Sequence, residues 1–341
     1  MRSAHMTDRE KAGLRGPVKT CVEECIYPTN AYSFASEYTV DGKLLTSRTN
    51  HPDRSEWLTT NTYDADGRLV KTTTGKSGET ATESLYTYDE TTGRLLSITN
   101  YAEESSRIDF HYDADSRKTK VQKFSSEMEI LERYKQSMLF DSLLTPAERG
   151  VGVPIGGSVI TIYDERDQEV EQQIVDAEGQ LVNRFVRTYN ANGQIIELKP
   201  IWVNPAALFF DKALGQLNPE HFKHLHRQMT TLVSDEVPAG TQYTYDSQNR
   251  VTNIRERDSG FERIMTITYN DRGEKAEERM DFTDRRNEYG LLVPGTTPHL
   301  PDHSLVIRYA YEYDSYGNWT QQVVSCPSRP DSVSNRKLTY H

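Results

Sequence analysis

The sequence predicts a mainly β protein: an antiparallel sheet of repeated hairpins that curls or spirals on itself, with helical insertions packed on one face. Three observations predict it: a recurring turn motif, the spacing of its copies, and the alternation of side chains that leads into each copy. The motif is Thr62-Tyr63-Asp64-Ala65-Asp66-Gly67-Arg68-Leu69. It returns with one extra residue at Tyr88, Asp89 and Gly93, and again at Tyr112-Asp113. Further copies carry Tyr189 and Gly193, Tyr245-Asp246, Tyr269 and Gly273, and Tyr313-Asp314 with Gly317. Weaker copies lie at 38–44, 163–167 and 175–181.

Tyr63 to Tyr88 is 25 residues, and Tyr88 to Tyr112 and Tyr245 to Tyr269 are 24 each. That length suits two strands and two connections, and a fixed period marks a repeat architecture. Before the turn, Trp57, Thr59, Asn61 and Tyr63 share one parity and Leu58, Thr60 and Thr62 the other, so a strand sends them to opposite faces. β-Branched and aromatic residues suit such a surface. In the turn, the Asp carboxylate can bond the backbone two residues on, and Gly accepts positive φ. Each unit therefore reads as a hairpin with a short Gly-containing loop. A lone hairpin is marginal, so units must stand side by side.

With these units the chain resembles the YD-repeat, or RHS-repeat, family of bacterial shell-forming toxins and animal teneurins. The resemblance covers most of residues 36–125, 159–199 and 241–341. It implies a long antiparallel sheet that spirals and, in large members, closes around a C-terminal cargo. Three departures limit what it implies here. The roughly ten units are few for a large closed shell. No segment after Gly317 reads as cargo, and no Asp-Pro dipeptide supplies the cleavage motif of the toxin members. This chain is thus expected to be a short member without the toxin cargo domain.

Composition narrows the function classes. Hydrophobic residues make up 35% of the chain, too few for a sheet buried on both faces, and 20 Tyr outnumber 10 Phe. The net charge of −11 opposes nucleic acid and anionic membranes as partners. No apolar run reaches the length of a membrane helix, and Met1–Met6 does not open a signal peptide. The family resemblance allows a secreted or cell-surface protein if a signal was removed. Cys21 and Cys25, four apart on one strand, are too distant to bond each other, and Cys326 stands alone.

Residues 1–15 read as a charged leader, poorly ordered or helical, and 16–341 as a single β domain. Val18–Tyr27 is its leading edge. Insertions interrupt the repeats at about 126–158, 200–236 and 281–304. Ser126 with Glu129 forms a capping box ahead of an apolar stripe. Asn204-Pro205 and Asn218-Pro219 open two helices bearing Phe209, Phe210, Phe222 and Leu225. Those helices are expected to plug or cover the sheet, or to meet a partner.

The chemical motifs point away from an enzyme. No nucleophile elbow, catalytic triad order or glycine fingerprint occurs. His221, His224 and His226 lack the spacing of a metalloprotease site, and Asp64-x-Asp66-Gly67 lacks the later ligands of a calcium loop. No metal or cofactor is expected. Trp57, Trp202 and Trp319 are the binding candidates, since exposed rings beside Asp, Asn and Arg can stack on sugars. The leading expectation is a non-enzymatic scaffold that binds a protein or glycan, with oligomers forming through a sheet edge or the 204–232 helices. Two others stand beside it: a hydrolase with a pocket between sheet and insertions, and a shell fragment or accessory of a toxin system.

Overall fold

The computed structural model of the protein describes residues 6–27, 31–53, 55–101, 106–115, 117–124, 153–202, 240–257, 261–284 and 304–341. A short helix, α1 (Asp8–Lys11), precedes twenty strands. The first nine are β1 (Val18–Ile26), β2 (Ala31–Tyr38), β3 (Leu44–Asn50), β4 (Glu56–Tyr63), β5 (Leu69–Lys76), β6 (Thr82–Tyr88), β7 (Leu95–Tyr101), β8 (Ser106–Tyr112) and β9 (Lys118–Lys123). Next come β10 (Ser158–Tyr163), β11 (Glu169–Val175), β12 (Leu181–Tyr189) and β13 (Ile195–Trp202). The last seven are β14 (Gly240–Tyr245), β15 (Val251–Arg257), β16 (Phe261–Tyr269), β17 (Lys275–Asp284), β18 (Ser304–Tyr313), β19 (Trp319–Cys326) and β20 (Arg329–Tyr340).

Each strand pairs antiparallel with the next in sequence, and β20 pairs back onto β1. The sheet is a closed barrel. This corrects the expected open spiral, because β1 is no leading edge: it is bonded to β2 on one side and to β20 on the other. It equally removes the free sheet edge through which an oligomer was expected to form, since every described strand has two neighbours. Closure depends on strand number, tilt and stagger around the whole ring, which no single unit encodes. The helices expected within the insertions fall on residues 125–152 and 203–239, and most of the third insertion on 285–303, all outside the described residues.

Consecutive strands alternate in direction, so their connections alternate between two rims. One rim collects nine short turns, at 39–43, 64–68, 89–94, 113–117, 164–168, 190–194, 246–250, 270–274 and 314–318. The opposite rim carries the connections that contain all three long insertions. The weak motif copy at 175–181 also turns at that opposite rim, between β11 and β12.

The two faces of the wall differ in exposure. On β4, Thr59, Asn61 and Tyr63 are half-buried, while Leu58, Thr60 and Thr62 are exposed. β6 and β14 repeat the pattern, with Tyr86, Tyr88, Tyr243 and Tyr245 on the less exposed face. Side chains converge on the concave side of a closed sheet and splay on the convex side, so the tyrosines line the interior. The outer face carries ion pairs such as Lys71–Glu83, Arg107–Asp109, Arg255–Glu262 and Arg308–Glu277. Two apolar clusters pack against the inner face. Phe124, Val153, Val159, Ile174, Val182 and Phe185 form one. Leu14, Val18, Cys21 and Tyr38 form the other, where β1 meets β2 and β20.

Candidate functional site: the turn ring and the interior row

The motif residues build a ring of linked turns. In the turn 64–68, the Arg68 amide donates to Asp64 Oδ1 at 2.8 Å, and Arg68 Nε donates to Asp64 Oδ2 at 2.7 Å. Gly67 closes the turn at φ 76°, a backbone state that a side chain resists. Asp113 with Arg117 and Asp246 with Arg250 repeat the pair. Asn190 and Asn270 take the Asp place with the same backbone bonds. The carboxyls of Asp64, Asp89 and Asp246 are held below their ordinary range by the amides of Arg68, Thr92 and Arg250. That of Asp113 is lowered chiefly by the Arg117 side chain. The Asp64-x-Asp66 sequence is thus turn chemistry.

The tyrosines link one hairpin to the one before it. The Tyr63, Tyr88, Tyr112 and Tyr269 hydroxyls donate to the carbonyls of Leu44, Leu69, Leu95 and Val251, at 2.7 to 2.9 Å. Each acceptor opens the second strand of the preceding hairpin. A one-residue register shift accompanies the hairpins of Tyr63, Tyr88 and Tyr269, as between Thr62 and Tyr63, while that of Tyr112 pairs without one. Cations then lie over the rings: Arg68 over Tyr88, Arg94 over Tyr112, Arg250 over Tyr269 and Arg272 over Tyr313, at 4.4 to 5.1 Å from the centroids. Where Gln168 and Gln194 stand in the cation's place, their amides donate to the carbonyls of Gly193 and Asn249. Sequence reasoning selected Tyr, Asp and Gly as the signature and gave the Arg of the motif no role. For Arg68, Arg94 and Arg250 its place at the end of the turn, one period ahead of the ring it covers, was the available signal, whereas Arg272 reaches its ring from within the turn.

The expected tryptophan candidates divide. One row of register partners crosses the inner wall: Arg336 on β20, Glu23 on β1, Phe34 on β2, Thr49 on β3, Trp57 on β4 and Lys76 on β5. Trp319 closes the row at one end, only 8% exposed, with the Arg336 guanidinium 3.5 Å from its ring centroid. Arg336 Nε is also 2.8 Å from Glu23 Oε2. Trp319 is therefore committed to packing. Trp57 is 42% exposed and Phe34 38%. They stand two strand spacings apart, about 10 Å, with Thr49 between them. Tyr27, Tyr32 and His51 continue the aromatic surface through edge-to-face contacts at 5.9 Å. Trp202 ends β13, opposite Asn183. The structure thus brings Trp57 and Trp319 onto one row but leaves only Trp57 with an open ring.

Cys21, Cys25 and Cys326 are buried, and burial raises the Cys21 and Cys25 thiols, which disfavours the thiolate. Among the described residues no group of three His, Cys, Asp or Glu side chains is placed to hold a metal ion. No described helix is long and apolar enough to cross a membrane.

These features define a class: a closed, single-sheet antiparallel barrel of twenty strands built from hairpin units. No family model matches the chain, and no curated protein matches it. Among solved structures, a porin-like protein from Bacteroides uniformis matches over 99% of this chain and 100% of its own, at 10% identity and TM-score 0.36. A porin-like protein from Bacteroides vulgatus matches over 95% and 99%, at 9% identity and TM-score 0.29. The TcdB2-TccC3 complex matches over 92% of this chain and 19% of its own, at 13% identity and TM-score 0.23. Likeness at this level carries no chemistry from those proteins to this chain.

Proposed function

We propose that the chain is a short, non-enzymatic member of the YD-repeat class, a scaffold barrel whose interior row at Phe34, Thr49 and Trp57 binds a glycan. The observation that carries this reading is the open Trp57 ring, two strands from Phe34, with the Thr49 hydroxyl beside it on one strand and the Lys76 ammonium on the other. Flat aromatic faces beside hydroxyl donors suit the apolar face and the hydroxyls of a sugar ring. The outer wall bears charge on strand after strand, where a membrane-spanning barrel carries an apolar band, and so it is read as facing water.

The hydrolase reading has less support. A general acid needs a carboxyl held above its ordinary range, whereas the turn carboxyls are held below it and are engaged in the turns. An enclosing role, as a shell piece, is the second reading; the closed wall lined by repeat tyrosines favours it.

Titrating the intact protein with soluble oligosaccharides of varied linkage, while following the heat of binding by calorimetry, tests the glycan reading. Saturable change that is lost in Trp57→Ala, with the fold retained by circular dichroism, is expected. Absence of binding across a broad glycan array overturns it and directs the search to protein partners of the same row.

A further inference from the structure

Nineteen of the twenty neighbouring pairs of described strands are consecutive in the chain; β20 and β1 meet with no turn joining them. At the turn rim this seam lies between the turns 314–318 and 39–43, where a tenth turn would stand in a uniform ring. Residues 7–17 occupy that place. Asn318 holds one end: the Arg15 amide donates to its Oδ1 at 2.6 Å, and its Nδ2 donates back to the Arg15 carbonyl at 2.9 Å. In the turn motif this position carries Arg, as at Arg68 and Arg250. Here a cation arrives from outside the unit: Arg15 donates to the Arg272 carbonyl at 3.0 Å and sits 3.8 Å from Glu274.

The other end grips the turn 39–43. The Arg9 amide donates to the Gly42 carbonyl at 3.0 Å, and Asp8 Oδ2 accepts from the Leu44 amide at 3.0 Å. Between the two ends, Leu14 is 4% exposed in the seam cluster and the His341 amide donates to the Pro17 carbonyl. Asn318 also bonds the Tyr340 hydroxyl, and Tyr316 stacks on Tyr340 at 4.4 Å.

We infer that residues 7–17 form a strap that replaces the missing tenth turn and holds the barrel shut along the β1–β20 seam. Elsewhere the covalent turn keeps neighbouring strands close. At the seam that restraint is absent, and closing it carries the entropy of a loop as long as the sheet itself. The strap supplies the restraint through side-chain bonds, so the seam is the place where the barrel opens when those bonds are released.

Hydrogen exchange read by mass spectrometry on the full chain tests this. Asn318→Ala is expected to speed exchange about tenfold in β1 and β20, the effect of losing roughly one well-made hydrogen-bond pair, while β10 and β11, across the ring, are unchanged. Asp8→Ala, at the far end of the strap, should give the same local pattern more weakly, and serves if Asn318→Ala fails to fold. Ser334 is the register partner of Cys25, with their side chains 3.3 Å apart. Adding Ser334→Cys and oxidising should therefore tie β20 to β1 and restore slow exchange. Unchanged exchange at the seam in both strap variants overturns the inference. So does an equal rise in β10 and β11, or failure of the crosslink to restore protection.

Discussion

Arg68 belongs to two units at once: its Nε lies 2.7 Å from Asp64 Oδ2 in its own turn, and its guanidinium sits 5.1 Å from the ring centroid of Tyr88 in the next. The Tyr88 hydroxyl, in turn, donates to Leu69, the residue after Arg68. Turn chemistry and unit-to-unit stapling therefore share the same few side chains. This explains why Tyr, Asp, Gly and a cation recur together along the chain.

Removing one staple should cost little but measurably. Tyr88→Phe keeps the ring under Arg68 and loses only the bond to the Leu69 carbonyl. Urea denaturation should show a loss of about 1 kcal/mol. A loss no larger than that of an exposed Thr60→Ser control would mean that water replaces the hydroxyl at no cost.

Backbone conformation in the turns gives a pair of opposite effects. Gly193 has φ 80°, and a β-carbon there would stand 2.8 Å from Gln168 Nε2. Gly193→Ala should destabilise by about 1 kcal/mol or more. Asn249 holds φ 64° in the equivalent place of the next turn on that rim, so Asn249→Gly should be neutral or slightly stabilising. The comparison is read from the two denaturation midpoints.

A buried hydroxyl offers a stabilising change. Thr161 is 0% exposed, and its Oγ1 finds no partner among the described residues. Thr161→Val keeps the shape and removes the cost of burying an unpaired hydroxyl, so the thermal midpoint should hold or rise. A clear fall would reveal a bond to that hydroxyl.

Stability should fall at both ends of the pH scale. The carboxyls of Asp64, Asp113 and Asp246 lie below their unfolded values, so their contribution is complete above about pH 4 and is lost as pH falls through the lowered values. Burial, with the neighbouring Asp8 and Asp314 carboxylates, pushes Tyr63 and Tyr340 up to about 12. Their contribution is complete below about pH 10 and is lost as pH rises through the raised values. Urea midpoints across pH 2 to 12 should therefore trace a plateau with two shoulders. Asp246→Asn should shrink the acid one.

The two tryptophans with described side chains should separate spectroscopically. Iodide should quench Trp57, which is 42% exposed, and leave Trp319, 8% exposed, largely untouched. In a Trp202→Phe background, Trp57→Phe should therefore remove most of the quenchable signal. Retention of that signal would place Trp57 inside a closed contact and weaken its role as a binding ring.

The local structure was legible in the chain itself. Alternation at Trp57 to Tyr63 placed the strand faces, and Asp64 with Gly67 placed the turn, because both depend on residues within a few positions of each other. Only the tertiary structure decided closure, and with it the fate of each candidate. Val18–Tyr27 reads as an edge in sequence and becomes an interior seam strand because Tyr340, Leu338 and Arg336 arrive beside it. Trp57 and Trp319 read as equivalent rings. One stays open and the other is sealed because Arg336 reaches Trp319 across the pairing of β19 with β20. Asn318 reads as the last residue of a clear motif copy and serves as the clasp for Arg15, 303 residues away. Short-range order follows from steric limits and neighbouring hydrogen bonds, which a sequence displays directly. Ring closure depends on the summed twist and stagger of twenty strands, a quantity that no single repeat contains.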